Sequence, residues 1–426
     1  MRRTVASLFC MSVWLAAGPA DRDAKVAVAA EALRPTLVAE RRDFHEHPEL
    51  SNREVRTARV VAERLRALGL EVHTGVARNG VVALLKGGRP GPVVAYRADM
   101  DALPITETHD VPYKSLNPGV MHACGHDAHT TIGLGVAAVL AGMREQVPGT
   151  VKFIFQPAEE GAPDGEEGGA ALMVKEGVLE NPSPRAIFGL HVTNAYPAGT
   201  MALVSGSMLA SVDTWSATIH GKMSHGGAAP HKGIDAIYVA AQAIEAFQSI
   251  RSRRVDPLEP LVLSVGTIHG GVRENVIADK VELTGTLRTL NPAVRAQAKA
   301  LMKELLDGVA RTNGATAELA FQANAAYPAT VNDPALVAAT LPSLRRVLGT
   351  HLVTDAKPVM GAEDFSFYQQ RIPGAYLWLG VTNATRGITA GVHTADFDLD
   401  EDSLVVGVRA MSGVLLDYLD RGAARP

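Results

Sequence analysis

The sequence predicts an α/β fold interrupted by a smaller inserted α+β domain. Three observations carry that expectation. Short apolar runs alternate with helical stretches from Asp23 to about Ser205. Those runs are near-continuous in apolar residues, the pattern of strands in a sheet covered on both faces. After Ser205 the order becomes strand, helix, strand, strand, helix, strand, and helix–strand alternation returns from about Ala326.

In chain order, Arg2 and Arg3 precede an apolar run over 5–17, and Gly18-Pro19-Ala20 puts small residues before Asp21. A basic start, an apolar middle and a small-residue end make an export signal. Residues 1–20 are therefore expected to be cleaved and the mature protein to be periplasmic or extracellular. The run is too short to span about 30 Å of hydrocarbon. Cys10 follows Phe9 rather than a small residue, which argues against a lipid anchor.

The stretch 23–72 reads as helical. Ser51 and Glu54 fit a capping box for a helix reaching Leu68 and closing at Gly69. Strands are expected over 80–85, 92–96, 151–155 and 187–190, with a helix over 130–144. Together they form the first part of the larger domain, 21–205. The inserted domain, 206–325, has strands over 212–219, 261–269, 281–290 and 316–322 and helices over 234–250 and 294–310. A βαββαβ order of this length is a ferredoxin-like unit. The larger domain resumes over 326–426, with a strand over 375–379. No internal repeat or low-complexity segment is evident.

Composition limits the function classes. The chain has 426 residues, 47% hydrophobic and 20% charged, with a formal net charge of -4. That is an ordinary soluble globular composition, long enough to bury a core without cross-links. Slight acidity argues against a broad nucleic-acid or anionic-membrane surface. Two cysteines exclude a disulfide framework. With Cys10 in the leader, Cys124 is the sole thiol of the mature chain, to be buried, reactive or metal-bound.

The densest chemistry lies in MHACGHDAHTT, which holds His122, Cys124, His126, Asp127 and His129. Cys124 and His126, two apart, share a side in extended backbone and suit one borderline-soft divalent ion. A buried cysteine beside a helix-capping histidine is the plainer reading, but the density of ligand types favours metal. In FQPAEEG, Glu159 and Glu160 follow an apolar strand and face opposite ways. One carboxylate can then bind metal while the other takes a proton from water; a solvated acidic loop, with Asp164, Glu166 and Glu167 following, is the alternative reading of this segment alone. In YRADMDALP, Asp99 and Asp101 share a face past a strand end, where open α/β sheets place ligands, a polar turn closed by Pro104 being the alternative. His191, ending FGLHV, and His393, in GVHTADFD, fall at the same kind of position. His225, in the Gly-rich loop GKMSHGGAAPHKGIDAI, is either surface or a donor to a substrate oxygen. GAEDFSF is a further acidic-aromatic loop expected to line the pocket.

The ordered set DFHEHPELS, YRADMDALP, MHACGHDAHTT, FQPAEEG, GLHV, SHGGAAPHKGIDA, RENVIAD, GAEDFSFY and GVHTADFD spans nearly all of the mature chain. It resembles the amidohydrolases that include hippurate hydrolase, the plant auxin-conjugate hydrolases and N-acetyldiaminopimelate deacetylase. These belong to the wider group of dinuclear metallo-aminoacylases and carboxypeptidases. The resemblance implies a mixed-sheet, zinc-peptidase-like catalytic domain carrying a ferredoxin-like lid. It implies that Cys124, His126, Glu160, His191 and His393 bind two divalent ions, manganese or zinc. Glu159 would be the general base and Asp101 would support the metal centre. The lid would form a homodimer, or a dimer of dimers, and bring His225 beside Asn275 to the partner's active site. Against the wider group, Asp99 replaces the usual histidine two before the supporting aspartate, and Cys124 the usual bridging aspartate. The implied reaction is hydrolysis of an N-acyl amino acid to a carboxylate and a free amino acid. A metallocarboxypeptidase or dipeptidase, and an inactive exported binding protein, are the alternatives. Neither nucleic acid nor membrane is expected as a partner after signal cleavage.

Overall fold

The computed structural model describes residues 19–423. The export-signal expectation falls almost wholly outside the described residues. Three helices come first: α1 (Pro19–Ala32), α2 (Arg34–Glu46) and α3 (Val55–Ala67). α3 buries Val61 and Leu65 on one stripe, the helical spacing expected, and the chain leaves it through Gly69 at φ +74°. The expected Ser51/Glu54 capping box does not form. Glu49 instead accepts the first-turn amides of Arg56 and Thr57 at 3.0 and 2.8 Å. Ser51 and Glu54 are turned toward the site described below.

A mixed sheet follows, and its helices divide between two faces. β1 (Glu71–Val76) and β2 (Gly80–Lys86) form a hairpin, then come β3 (Arg89–Asp99), α4 (His126–Gly142) and β4 (Pro148–Gln156). β1 escapes a sequence reading because it is a mostly exposed edge strand without alternation, and its first residues belong to the stretch expected to be helical. α4 begins at His126 rather than Thr130. After α5 (Gly169–Lys175) run β5 (Ile187–Pro197), the two-residue β6 (Met201–Ala202) and β7 (Gly206–Leu209).

The chain then builds β8 (Ser211–His220), α6 (Ala236–Ser249), β9 (Leu261–Gly270), β10 (Lys280–Thr289), α7 (Pro292–Thr312) and β11 (Thr316–Tyr327). These four strands form a separate antiparallel sheet in the order β11-β8-β10-β9, the ferredoxin-like arrangement. α6 and α7 cover one face, and Trp215, Phe247, Leu283 and Met302 fill a core of its own. Asp235 caps α6 by accepting from the amides of Ile237 and Tyr238. The returning strand β12 (Thr330–Asn332) pairs with β7, so the chain leaves and re-enters side by side.

α8 (Pro334–Leu348), β13 (Leu352–Val353), α9 (Ser366–Gln369), β14 (Gly374–Thr382) and α10 (Asp402–Ala423) complete the chain. The large sheet runs β1-β2-β4-β3-β5-β14-β6-β13. Its central strands β4, β3, β5 and β14 are parallel, so their carboxyl ends open on one edge. α4 and α10 pack across one face, with Phe153, Leu377 and Leu415 in that core, while Met173, Tyr368 and Tyr376 lie in the other. Arg22 of α1 ion-pairs with Asp417 and Asp420 of α10, which ties the first helix to the last. Among the described residues no helix is long and apolar enough to cross a membrane.

Candidate metal centre

The edge where the parallel strands end carries the expected residues. Asp99 ends β3, Glu159 and Glu160 follow β4, and His191 lies within β5. Cys124 arrives just ahead of α4, through Gly125 at φ +83°. A Cβ at Gly125 would lie 2.3 Å from Val192 Cγ2, so glycine is required for this approach. Cys124 and His126 therefore converge through a left-handed turn into a helix, not through extended backbone as their spacing suggested.

Two donor sets share one sulfur. Cys124 Sγ is 3.4 Å from His191 Nε2 and 3.2 Å from His393 Nε2. His393 Nε2 is also 3.2 Å from Glu160 Oε1. Ligand atoms of Cys124, His126 and His191 all lie within 4.8 Å of one another, as do those of Cys124, Glu160 and His393. His393 itself sits at φ +63°, a strained backbone of the kind that gathers at functional sites.

The ring protons are placed for ligation. His191 Nδ1 donates to its neighbour's carbonyl, Val192 O, at 2.6 Å, which leaves Nε2 as a bare lone pair. His126 Nδ1 donates to Asp101 Oδ1 at 3.2 Å, and His126 Nε2 is buried with no hydrogen-bond partner among the described residues. Asp101 Oδ2 accepts from Ser51 Oγ at 2.7 Å and from the Glu160 amide at 3.0 Å. A buried nitrogen left unpaired is costly unless something fills the space before it.

The electrostatics ask for a cation. Burial, followed by Glu160, Glu159 and Asp99, pushes the Cys124 thiol well above its usual range. Burial alone would lower His126, but Asp99, Asp101 and Glu160 push it up to about 10. A thiolate here needs positive charge beside it. Thiolate, imidazole and carboxylate together form a donor set for divalent ions such as zinc or manganese, so the residues fit the group they were expected to hold.

The other residues of the histidine-rich segment serve different ends. His129 Nδ1 donates to Asp99 Oδ1 at 2.6 Å while its Nε2 accepts the Val192 amide at 2.8 Å. Both nitrogens are used, so His129 links the end of β3 to the middle of β5. Asp127 turns away to Arg41 Nε at 2.9 Å and His45 Nδ1 at 2.7 Å. His122 is buried, and that burial lowers it to about 4.

Sequence reasoning missed Arg97. Its fully buried guanidinium lies 2.6 Å from Asp99 Oδ2, 2.9 Å from Glu363 Oε1 and 2.9 Å from Asp364 Oδ1. An arginine inside the apolar run VVAYRAD was the available signal, since a buried charge must be paired. Glu159 stands beside this network, its Oε1 3.4 Å from the Asp364 amide. Burial, then Glu363, Glu160 and Asp364, pushes Glu159 well above the usual carboxylate range.

A cleft of about 650 Å³ opens over the cluster, lined by Cys124, Glu159, Glu160, His191 and His393. Gly361 and Ala362 of the acidic-aromatic loop also line it, as do apolar Leu209, Val212 and Trp378. Arg288 and Lys357 add two cations with no acidic partner among the described residues. Arg288 is steadied by donating to Met360 O at 3.0 Å. His225 and Asn275 do not line this cleft. They meet on the inserted domain, where the Gly226 amide donates to Asn275 O at 2.8 Å. His225 Nδ1 accepts from the Gly227 and Ala228 amides at 3.2 and 3.1 Å, which places the ring proton on the exposed Nε2.

The profile of peptidase family M20/M25/M40 matches residues 95–417. Thermostable carboxypeptidase 2 of Saccharolobus solfataricus is 42% identical over 90% of this chain and 96% of its own. N-acetylcysteine deacetylase of Bacillus subtilis is 40% identical over 89% of this chain and 96% of its own. Among solved structures, the YXEP protein of Bacillus subtilis, a dinuclear metal-binding peptidase, superposes with a TM-score of 0.79 at 35% identity. That match covers 92% of this chain and 99% of the other.

Proposed function

The chain belongs to peptidase family M20/M25/M40, and from that premise we propose that it hydrolyses the amide bond of N-acyl amino acids. It is a metal-dependent amide-bond hydrolase; the acyl amino acid, hippurate-like in form, is the finer reading. One observation carries it. The cleft that holds the expected base and ligands also presents Arg288 and Lys357 without acidic partners, beside apolar walls. An N-acyl amino acid offers a carboxylate to the cations and an acyl group to the apolar side. The deacetylase relative acts, by its name, on such a molecule.

Cys124, His126, Glu160, His191 and His393 would hold two divalent ions, manganese or zinc. Such ions supply Lewis acidity and make water a better acid at neutral pH. Asp101 orients His126 through Nδ1 and fixes the Glu160 amide. Glu159 takes the proton of the attacking water on its carboxylate, then delivers a proton to the leaving amine. A positioned carboxylate beside the ligands can serve both halves of that transfer. The base and ligand are adjacent in sequence, so their relative aim is set by one backbone turn.

His225, with Nε2–H free, is suited to stabilise the developing oxyanion across a homodimer, with Asn275 beside it. The outer strand β9 and the start of α6 support a dimer through the inserted domain, because Ile268, Ile237 and Tyr238 are exposed there. The mature protein would act outside the cytoplasm. N-terminal sequencing of the exported chain checks this, and an intact Met1 would remove the leader.

The carboxypeptidase relative favours a second reading, removal of a C-terminal residue from a short peptide. Both substrates carry the carboxylate, so the acyl side decides between them. Amine release by the metal-loaded protein from benzoyl- and acetyl-amino acids and from dipeptides tests the choice. Turnover of the acyl amino acids is expected. Cleavage of dipeptides alone would transfer the chain to the peptidase reading, and silence across the panel would leave a binding protein.

A further inference from the structure

The turn that carries Glu159 and Glu160 is gripped from outside the cleft. Ala158 has φ +54°, a left-handed conformation that disfavours any residue with a Cβ. Its amide donates to Glu54 Oε1 at 2.9 Å. The same oxygen accepts from the Asn52 amide at 2.9 Å, and Oε2 accepts from Asn79 Nδ2 at 3.2 Å. Glu54 is completely buried and does not line the cleft. It opens α3 without capping it, because Glu49 has taken that task.

The neighbouring residue Ser51 completes the grip, since its hydroxyl donates to Asp101 Oδ2, which accepts the Glu160 amide. The loop between α2 and α3 thus holds the turn at Ala158 and, through Asp101, at Glu160. A Cβ at Gly168 would lie 2.8 Å from Asn52 Oδ1 and 3.1 Å from Ala158 Cβ, so Gly168 packs closely against both the α2–α3 loop and the turn.

We propose that Glu54 is a positioning residue that keeps Ala158 left-handed and so sets the aim of Glu159 and Glu160. The proposal rests on the reading of Glu159 as base and Glu160 as ligand. What the turn needs is an acceptor lone pair, not a charge. Glutamine keeps the two bonds to Oε1, with Asn79 turning its carbonyl oxygen toward the new amide, whereas methionine, of similar bulk, keeps neither.

The test measures kcat and KM of the metal-loaded protein, and amide exchange across residues 158–161 with and without metal. Glu54→Met should lower kcat at least about tenfold with KM little changed, since misplacing a reacting group by about 1 Å can cost 10²-fold. Exchange at Ala158 should quicken at least about tenfold. Glu54→Gln should restore both. In an Ala158→Gly background, where the left-handed turn is easy, Glu54→Met should cost less. If Glu54→Met does not fold, Glu54→Asp, one methylene shorter, should show the same pattern. Wild-type kcat in a folded Glu54→Met protein, or unchanged Ala158 exchange, overturns the proposal. An inactive wild type would strike the functional reading, and Ala158 exchange would still decide this one.

Discussion

Cys124 Sγ lies 3.2 Å from His393 Nε2, which joins the start of α4 to a loop near the end of the chain. The same sulfur faces His191, so it stands where the two donor sets meet. Thiolate charge at this point depends on a cation, because burial and the surrounding carboxylates hold the thiol protonated without one. Cys124→Ser keeps the shape and replaces a soft, ionisable donor with a hydroxyl. The variant should fold and lose metal after dialysis, read by elemental analysis, with activity falling in step. Full metal retention would take Cys124 out of the ligand set.

Glu159→Gln separates proton transfer from metal binding. The amide keeps the size of the side chain and can still accept from the Asp364 backbone N–H, but it cannot take a proton from water. Metal content should stay at the wild-type level while kcat falls at least about 10²-fold. Turnover close to wild type would assign the base elsewhere.

Most of this site was legible because its residues sit at ends of elements that the apolar pattern delimits. The run IFGLHV marks β5 and so places His191; FIFQPAEE does the same for β4 and the glutamates. The ferredoxin-like unit was legible from element order alone. What escaped was set by long-range pairing. Nothing local to Arg97 names Glu363 and Asp364 as its partners, 267 positions on in the case of Asp364. Ser51 and Glu54 match a helix cap locally, yet Asp101 and Ala158 claim them once the chain folds. The start of α4 was misplaced because Gly125 reads as a loop residue, whereas its left-handed turn is the entry to the helix.

Asp213 offers a pH test far from the metals. Its buried carboxylate lies on β8, 2.7 Å from Arg295 Nε and 3.0 Å from Lys299 Nζ. Burial alone would raise its proton affinity, but the two cations hold it below the usual carboxylate range. A depressed pKa means stability that is present above the unfolded value of about 3.9 and lost as pH falls through the folded one. Asp213→Asn should lower the stability of the inserted domain at pH 7 by about 1–3 kcal/mol. It should also flatten the acid limb of the unfolding profile below about pH 4. Equal melting temperatures for variant and wild type at pH 7 would show that the pair contributes nothing net.

His225 does not line the cleft of its own chain. His225 is exposed on the inserted domain, away from the cleft, yet its two backbone donors fix a tautomer with the proton outward. That tautomer presents an N–H outward, as an oxyanion donor must. If a second copy presents His225 to the cleft, His225→Ala and Glu159→Gln are each inactive for reasons that lie in different chains. Subunits mixed under dissociating conditions and reassembled should then form heterodimers with one intact site, combining Glu159 from the first variant with His225 from the second. Random pairing makes half the dimers mixed, each with one working site of two. Recovered activity should therefore approach about a quarter of wild type. No recovery from demonstrably mixed dimers would return His225 to the surface, and activity in His225→Ala alone would remove it from the reaction.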